Sequence, residues 1–580
     1  MNAYSDERPW LRHYPEEVAP SFDYPKHNVA HLLEKAAAEF PERAAIEFMG
    51  KTLTYRELLA SVYQFAGGLR SLGVSPGERV AIMLPNCPQM IIAYYGTLMM
   101  GGIAVMTSPL YMEGELAHQL EDSGATAIIT LDLLFARVLH VRQKTKLNHM
   151  IVTSIRDYLP FPKNWLYPLK MKKDGQSLAI PDVPGVVRYK RWLASSAPLT
   201  SAHSVDAEQD VAMIQYTGGT TGRAKGVMLT HYNLIANTVQ TSNWFYRAQR
   251  GKETFLAALP CFHVFGLTVL LNLGIHLASK LILLPRFDTM QVLECIHKER
   301  ATIFPGAPTM YIAINHHKEV ARYDLSSVQA CVSGSAPLPL EVQERFEAIT
   351  GGRLIEGYGL TEASPVTHAN PLWGYRKIGT IGIPFPDTDA KIVNPDTGET
   401  MPVGAIGELA VRGPQIMKGY WNRPEETADV LKEGWLHTGD MAKMDADGFF
   451  SIVDRMKEMI NASGFKVFPR DVEEVLFEHP QVKEAAVIGV PDPYRGETVK
   501  AFIVPVEGAA ITEKELEGWC RAKLAAFKIP RQIEFRAELP KTMVGKVLRR
   551  KLVEEEAQRR LQRDGHRDGI ASDDTDKDKE

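Results

Sequence analysis

Much of what this sequence says comes first from what it lacks. Its 580 residues include only five cysteines (Cys87, Cys261, Cys295, Cys331 and Cys520), an odd number with no Cys-x-x-Cys pair. A disulfide framework or a zinc site is therefore not expected, and a reducing, cytoplasmic compartment fits better. Neither sign of charge dominates: 66 Lys and Arg against 70 Asp and Glu leave a net charge of −4. That balance argues against nucleic acid as a partner, because phosphate backbones select strongly basic faces. The first residues, "MNAYSDERPWLRHYPEE", have no apolar core and do not read as a secretory signal. No stretch offers the roughly 20 consecutive apolar residues of a membrane span. Residues 90–106 are broken by Gly101-Gly102, and the uncharged run 255–279 by Pro260, Gly266 and Gly274. Each reads as a buried helix feeding a buried strand.

What is present is globular: 45% apolar and 23% charged, at a length that implies two or more domains. From residue 30 onward, helical spacing ("VAHLLEKAAAEF", "YRELLASVYQFAGGLRSLG", "PQMIIAYYGTLMMGG") alternates with short apolar runs ("AAIEF", "RVAIMLP", "IAVMTS", "ATAIIT"). Apolar runs without strict alternation, separated by helices, predict layered α/β with parallel sheets covered on both faces. Around 385–455, "DAKIVNPDTGE", "GELAVRG" and "GFFSIVDR" are short strands between Asn-Pro, Asp-Gly and Gly turns, a small β unit closing the large domain. Mixed α and β follow. The expected division is a large domain over 1–454, a small α+β domain over 455–557, and a disordered charged tail over 558–580.

Four stretches carry chemistry. "YTGGTTGRAKG", 216–226, holds four glycines, three threonines and a lysine between the apolar strand "VAMIQY" and the helical "THYNLIANTVQ". Glycine lets N–H groups turn toward an anion, and threonine and lysine add donors and charge. Lys225 is followed by Gly226, so the common Gly-x-x-x-x-Gly-Lys-Ser/Thr loop is excluded. In "EGYGLTEASP", 356–365, Tyr358 suits a planar group, Thr361 is a hydroxyl donor, and Glu362 is a hard ligand for Mg²⁺ held mainly by phosphates. In "GWLHTGDMAKMDADGFFSIVDRMKEMI", Asp440, read as lying at a turn, suits the hydroxyls of a ribose, with Arg455 beside it. In "LPKTMVGKVLRRKL", Lys546 follows Gly545. Each alone has an ordinary counterpart: a flexible turn, a capping Thr-Glu pair, an Asx-turn, a solvated basic helix. Arg549, Arg550 and Lys551 are read as solvated.

In order and spacing, these stretches together resemble the adenylate-forming superfamily of acyl-CoA synthetases, peptide-synthetase adenylation domains and firefly luciferase. The likeness extends from about residue 30 to 555 and is nearest to bacterial long-chain fatty acid–CoA ligases. It implies a carboxylate attacking the α-phosphate of ATP, then transfer of the acyl group to coenzyme A. It assigns Thr217, Gly218, Gly219, Thr220, Thr221 and Lys225 to the β- and γ-phosphates. Ser335 and Ala336 of "SGSAPL", with Gly357 and Tyr358, fall to the adenine. Thr361 falls to the α-phosphate, Glu362 to Mg²⁺, and Asp440 and Arg455 to the ribose. Lys546 matches the catalytic lysine, Lys457 the hinge of a mobile small domain, and Gly464 and Lys466 the coenzyme A side. His263 and Phe265 match the acyl pocket, although His263 fits a core histidine equally well. No acidic residue lies between Glu253 and Asp288, which disfavours an amino acid substrate. A carrier-protein acyl-AMP ligase, a medium-chain or aryl acyl-CoA synthetase and a non-catalytic sensor are the competing readings, and a homodimer is allowed. The segment 157–175, with aromatics, prolines and Lys163, Lys170, Lys172 and Lys173, suits either a bilayer surface or a loop packed on the large domain.

Overall fold

The computed structural model describes residues 8–174, 180–217, 224–462, 465–492, 496–542 and 546–571. Its largest sheet has eight strands, in the order Gly419–Tyr420, Lys225–Thr230, Val211–Thr217, Ile103–Met106, Arg79–Met83, Ala127–Leu131, His149–Thr153 and Val186–Arg188. From Val211–Thr217 to Val186–Arg188 every ladder is parallel. The other edge is antiparallel. Strands Ile103–Met106 and Ala127–Leu131 are buried at every position, as expected of parallel strands covered on both faces.

The helix Pro88–Met99 is buried on all sides. It opens on Pro88, where a missing N–H costs nothing. It passes through Gly101, at φ 82°, into the strand Ile103–Met106. The run 255–279 likewise ends in a buried helix, Leu273–His276, that feeds the strand Lys280–Leu283. Among the described residues no helix is long and apolar enough to cross a membrane.

Two four-stranded sheets form a second layer. One holds Thr254–Ala257, Lys280–Leu283, Ala44–Phe48 and Lys51–Thr54; the other holds Ala330–Ser333, Arg353–Gly359, Val366–Ala369 and Ile383–Pro384. Ile303 pairs with Phe255 of the first and Ala330 of the second, which joins them.

Contacts divide the chain into two units. The first is Met1–Lys391, Ala410–Thr438 and Met444–Phe450; the second is Ile392–Leu409, Gly439–Lys443 and Ser451–Glu580. The strands expected after 385 form at Asp389–Val393, Gly407–Arg412 and Phe450–Arg455, and Trp435–Met444 adds another. In the second unit, Val482–Asp492 and Gly496–Pro505 form a long antiparallel pair. Alternate residues point to opposite faces of this pair. Val487, Ala501 and Ile503 pack with Val472, Leu476 and Leu516, while Ile488, Phe502 and Val504 pack with Leu539 and Leu552.

The last helix, Arg549–Ala571, continues through residues whose composition suggested disorder from 558. Ion pairs anchor this helix: before residue 558 Glu555 pairs with Arg536 and Glu556 with Lys500, and beyond it Arg559 pairs with Glu534 on the sheet.

Candidate active site

Thr217 ends the strand Val211–Thr217 and pairs across the ladder with Lys225, which opens the strand Lys225–Thr230. The glycine-rich loop therefore joins two antiparallel strands. The sequence pattern had set the helix His231–Trp244 directly after it, but a strand intervenes. Gly218, Gly219, Thr220, Thr221 and Gly464 lie outside the described residues, as do the side chains of Arg455, Lys457 and Lys466.

The Lys225 ammonium pairs with the Glu426 carboxylate and lies 4.9 Å from the centre of the Tyr420 ring. Tyr420 sits on the edge strand Gly419–Tyr420, opposite Val227. Its hydroxyl donates to Glu362 Oε1 at 2.8 Å, and the Met417 N–H donates to the Glu362 carbonyl at 2.8 Å. Burial and the adjacent Glu362 charge push the Tyr420 phenol well above its usual range, so it stays a donor. One tyrosine thus connects two stretches nearly 140 residues apart in sequence (225 and 362).

The Glu362 stretch is a tight turn, Thr361–Ala363, after the strand Arg353–Gly359. Thr361 is buried. A Cβ on Gly359 would stand 2.1 Å from the Pro365 carbonyl oxygen, so no side chain fits where the chain folds back on itself. Gly357 and Tyr358 pair with Ala369 and His368, and the Tyr358 ring meets the His368 ring edge-on at 5.9 Å. His368 is fully buried, which pulls its imidazole down to about 3 and keeps it neutral.

Ser335 and Ala336 follow the strand Ala330–Ser333, which runs parallel to Arg353–Gly359. Both segments leave the carboxyl ends of neighbouring strands, where α/β sheets place ligands. Ser335 adopts φ 72°, a left-handed conformation that costs a non-glycine residue about 1 kcal/mol. The Leu338 N–H donates to Glu356 Oε2 at 3.1 Å, tying this loop to the strand that carries Tyr358.

The segment assigned to the acyl pocket contacts both parts. A Cβ on Gly334 would stand 3.0 Å from the Phe265 ring, so Phe265 packs directly on the Ser335 loop. The helix then widens into a π-turn, Gly266–Asn272, a form that often marks functional sites. Thr268 Oγ1 donates to the Ser364 carbonyl at 2.7 Å, beside Thr361 and Glu362. His263 is half-buried, and its Nδ1 accepts the Phe265 N–H at 3.3 Å. That leaves Nε2 as the protonated nitrogen when the ring is neutral. Thus Thr217, Lys225, Ser335, Ala336, Gly357, Tyr358, Thr361, Glu362, His263 and Phe265 are joined through shared contacts in the first unit.

In the second unit, Asp440 is buried within the strand Trp435–Met444, not at a turn as its Thr-Gly-Asp setting suggested. Gly439 takes φ 72° inside a continuous strand, and its N–H donates to Glu408 Oε1 at 2.9 Å. Glycine here marks a local twist rather than a reversal. Lys546 is half-buried. Its N–H donates to Thr542 Oγ1 at 3.1 Å, and its carbonyl accepts the Thr542 N–H at 2.8 Å.

Arg549, read as solvated, pairs with Glu458 and Glu473 instead. Those two charges outweigh its burial and hold its pKa above the usual range. Sequence reading also missed Tyr420 and Glu426. The only signal was their place in "GYWNRPEE", with Tyr420 just before, and Glu426 within, the acidic first turn of a helix, Pro424–Val430.

The family model for AMP-binding enzyme matches residues 33–421, and that for the AMP-binding enzyme C-terminal domain matches residues 471–546. The chain is similar to a long-chain-fatty-acid–CoA ligase of Bacillus subtilis (strain 168), 49% identical over 95% of this chain and 99% of that protein. It is similar to one of Escherichia coli O157:H7, 39% identical over 94% and 98%. Among solved structures, the anthranilate CoA ligase AuaEII in complex with anthranoyl-AMP superposes with a TM-score of 0.82, at 27% identity over 92% of this chain and 98% of that one. ATP-bound MatB from Rhodopseudomonas palustris superposes at 0.79, with 29% identity over 91% and 98%. The order of its motifs, the α/β architecture and these matches agree: the chain belongs to the AMP-binding, adenylate-forming enzyme family.

Proposed function

We propose that this chain is an ATP-dependent long-chain fatty acid–CoA ligase. The observation that carries the reading is the Lys225–Tyr420–Glu362 contact beside the buried Thr361 turn, in a chain half identical to a long-chain-fatty-acid–CoA ligase. In the first step a carboxylate oxygen attacks the α-phosphorus. The bond to the bridging oxygen breaks, diphosphate leaves, and an acyl-adenylate forms. In the second step the coenzyme A thiol, losing its proton, attacks the acyl carbon and AMP departs.

The residues suit these roles. Two anions must meet, so positioned positive charge and donors matter more than covalent help from the protein. Lys225 and Thr217 are set to grip the diphosphate end. Thr361 is set to donate to the α-phosphate, Tyr358 to lie on the adenine with Ser335, Ala336 and Gly357 around it, and Asp440 to take the ribose. Lys546, on the domain over 455–557, is set to bridge the carboxylate and the α-phosphate. His263 and Phe265 are assigned to the acyl carboxylate end.

Mg²⁺ fits this donor set. Among the described residues no cluster of three or more His, Cys, Asp or Glu could hold a metal alone, whereas Mg²⁺ binds through one or two carboxylates plus substrate phosphates. Glu362, oriented by Tyr420, is that carboxylate. When bound, the ion neutralises phosphate charge.

Coenzyme A-dependent AMP release measured across carboxylic acids from short to long tests the reading. Release that peaks with long chains is expected. AMP release that needs no coenzyme A, or requires an acyl carrier protein, would overturn it.

A further inference from the structure

The helix Lys163–Lys173 is built inside out for a surface helix. Asn164, Tyr167, Pro168 and Met171 recur at helical spacing and are its half-buried positions. Burial pushes the Tyr167 phenol up to about 12, which marks that stripe as the packed one. The outward face is where polar side chains belong. Here it carries Trp165 at 69% exposure and Leu169 at 59%, with Leu166 also exposed and Phe161, just before the helix, at 83%. No other helix among the described residues presents three exposed large apolar side chains. The helix is held in place, since Lys163 Nζ donates to the Met49 carbonyl at 2.8 Å at the tip of the Ala44–Phe48/Lys51–Thr54 hairpin. Met49 is itself exposed.

Lys170, Lys172 and Lys173 are exposed at the end of the same helix, and Asp174 is the one acidic residue between 161 and 174. Aromatic and aliphatic side chains interleaved with lysines match the chemistry of an anionic bilayer surface, where rings sit at headgroup depth and ammonium groups meet lipid phosphates. At 11 residues the helix can lie on a bilayer but not cross it.

We propose that residues 161–173 are a membrane-docking face that seats the enzyme on anionic lipid. This deepens the proposed function, because a long-chain fatty acid partitions into the bilayer on which the enzyme would rest. Both packing on the first unit and presentation to lipid are served by the same helix, through its two faces.

Co-sedimentation of the full chain with phosphatidylglycerol vesicles, and with phosphatidylcholine vesicles as the uncharged control, tests this. The chain should pellet with phosphatidylglycerol, more weakly with phosphatidylcholine, and less as salt rises. F161S/W165S/L169S, and separately K170E/K172E/K173E, should each weaken pelleting by about tenfold or more. Both variants should keep coenzyme A-dependent AMP release with a long-chain acid delivered on albumin without vesicles, which also shows that they fold. Pelleting equal to the unaltered chain in both variants, or absent in the unaltered chain, overturns the proposal. So does loss of a dimer in sedimentation velocity with vesicle binding unchanged, which would assign the face to a second copy. Failure of the functional reading is distinct: the unaltered chain would then release no AMP in the vesicle-free assay, whatever its pelleting.

Discussion

Lys225 and Lys546 are the two lysines of the proposed chemistry, and they are built differently. Lys225 opens a strand of the eight-stranded sheet, with its ammonium fixed between Glu426 and the Tyr420 ring. Lys546 is carried on a short hairpin of the second unit, closed by a reciprocal pair of hydrogen bonds to Thr542 and by the Lys541–Val547 bridge. One is set in a core sheet and the other on a small unit. The proposed roles follow the same split: the fixed lysine holds a group that leaves, and the hairpin lysine serves one half-reaction.

The sharpest way to break this comparison is Lys546→Ala. It should lower acyl-adenylate formation by about 10³-fold, the scale of losing a charge-stabilising donor. Thioester formation from supplied acyl-adenylate should be nearly unchanged, and equal loss in both steps would remove the distinction.

Next in size is Arg549→Ala, which strands Glu458 and Glu473 and should destabilise the second unit by about 3 kcal/mol. The measurement is chemical denaturation followed by the fluorescence of Trp519, which lies in that unit. An unchanged midpoint would return Arg549 to the solvated class.

Tyr420→Phe removes the donor to Glu362 but keeps the ring under Lys225. About a tenfold loss in adenylate formation is expected, with a raised Mg²⁺ requirement. If the melting temperature falls while the Mg²⁺ dependence stays put, Tyr420 is packing alone.

The smallest effect belongs to Lys225→Gln. It should weaken ATP by about fivefold, within the range of one charge-assisted contact, and slow diphosphate exchange without separating the half-reactions. A selective loss of thioester formation would contradict its assignment.

The layered fold was legible because buried parallel strands leave uninterrupted apolar runs, as in "IAVM" and "AIITL". The motif residues were legible because phosphate chemistry demands glycine, hydroxyl and charge in short compass. Tyr420 was not, since its value comes from a two-residue strand pairing with Val227 and Met228, nearly 200 residues earlier. No local pattern announces so distant a register. Arg549 was hidden by company: beside Arg550 and Lys551 it reads as one of a solvated run, and only the fold brings it to Glu473. The strand between the glycine-rich loop and its helix was missed because "KGVMLT" is too short to separate from the helix start by periodicity. The tail after 558 looked disordered because the partner of Arg559, Glu534, lies on another element.

The antiparallel setting of the Thr217–Lys225 loop has a consequence for turnover. A phosphate cradle at a helix N-terminus gains about half a positive charge from aligned peptide dipoles. A loop that joins two strands draws no charge from a helix macrodipole, and on the proposed roles its described cation, Lys225, is already shared with Glu426. For an enzyme that must let diphosphate go, a modest grip is an advantage. Product escape becomes easier, and the overall reaction is pulled forward by whatever consumes the departing diphosphate.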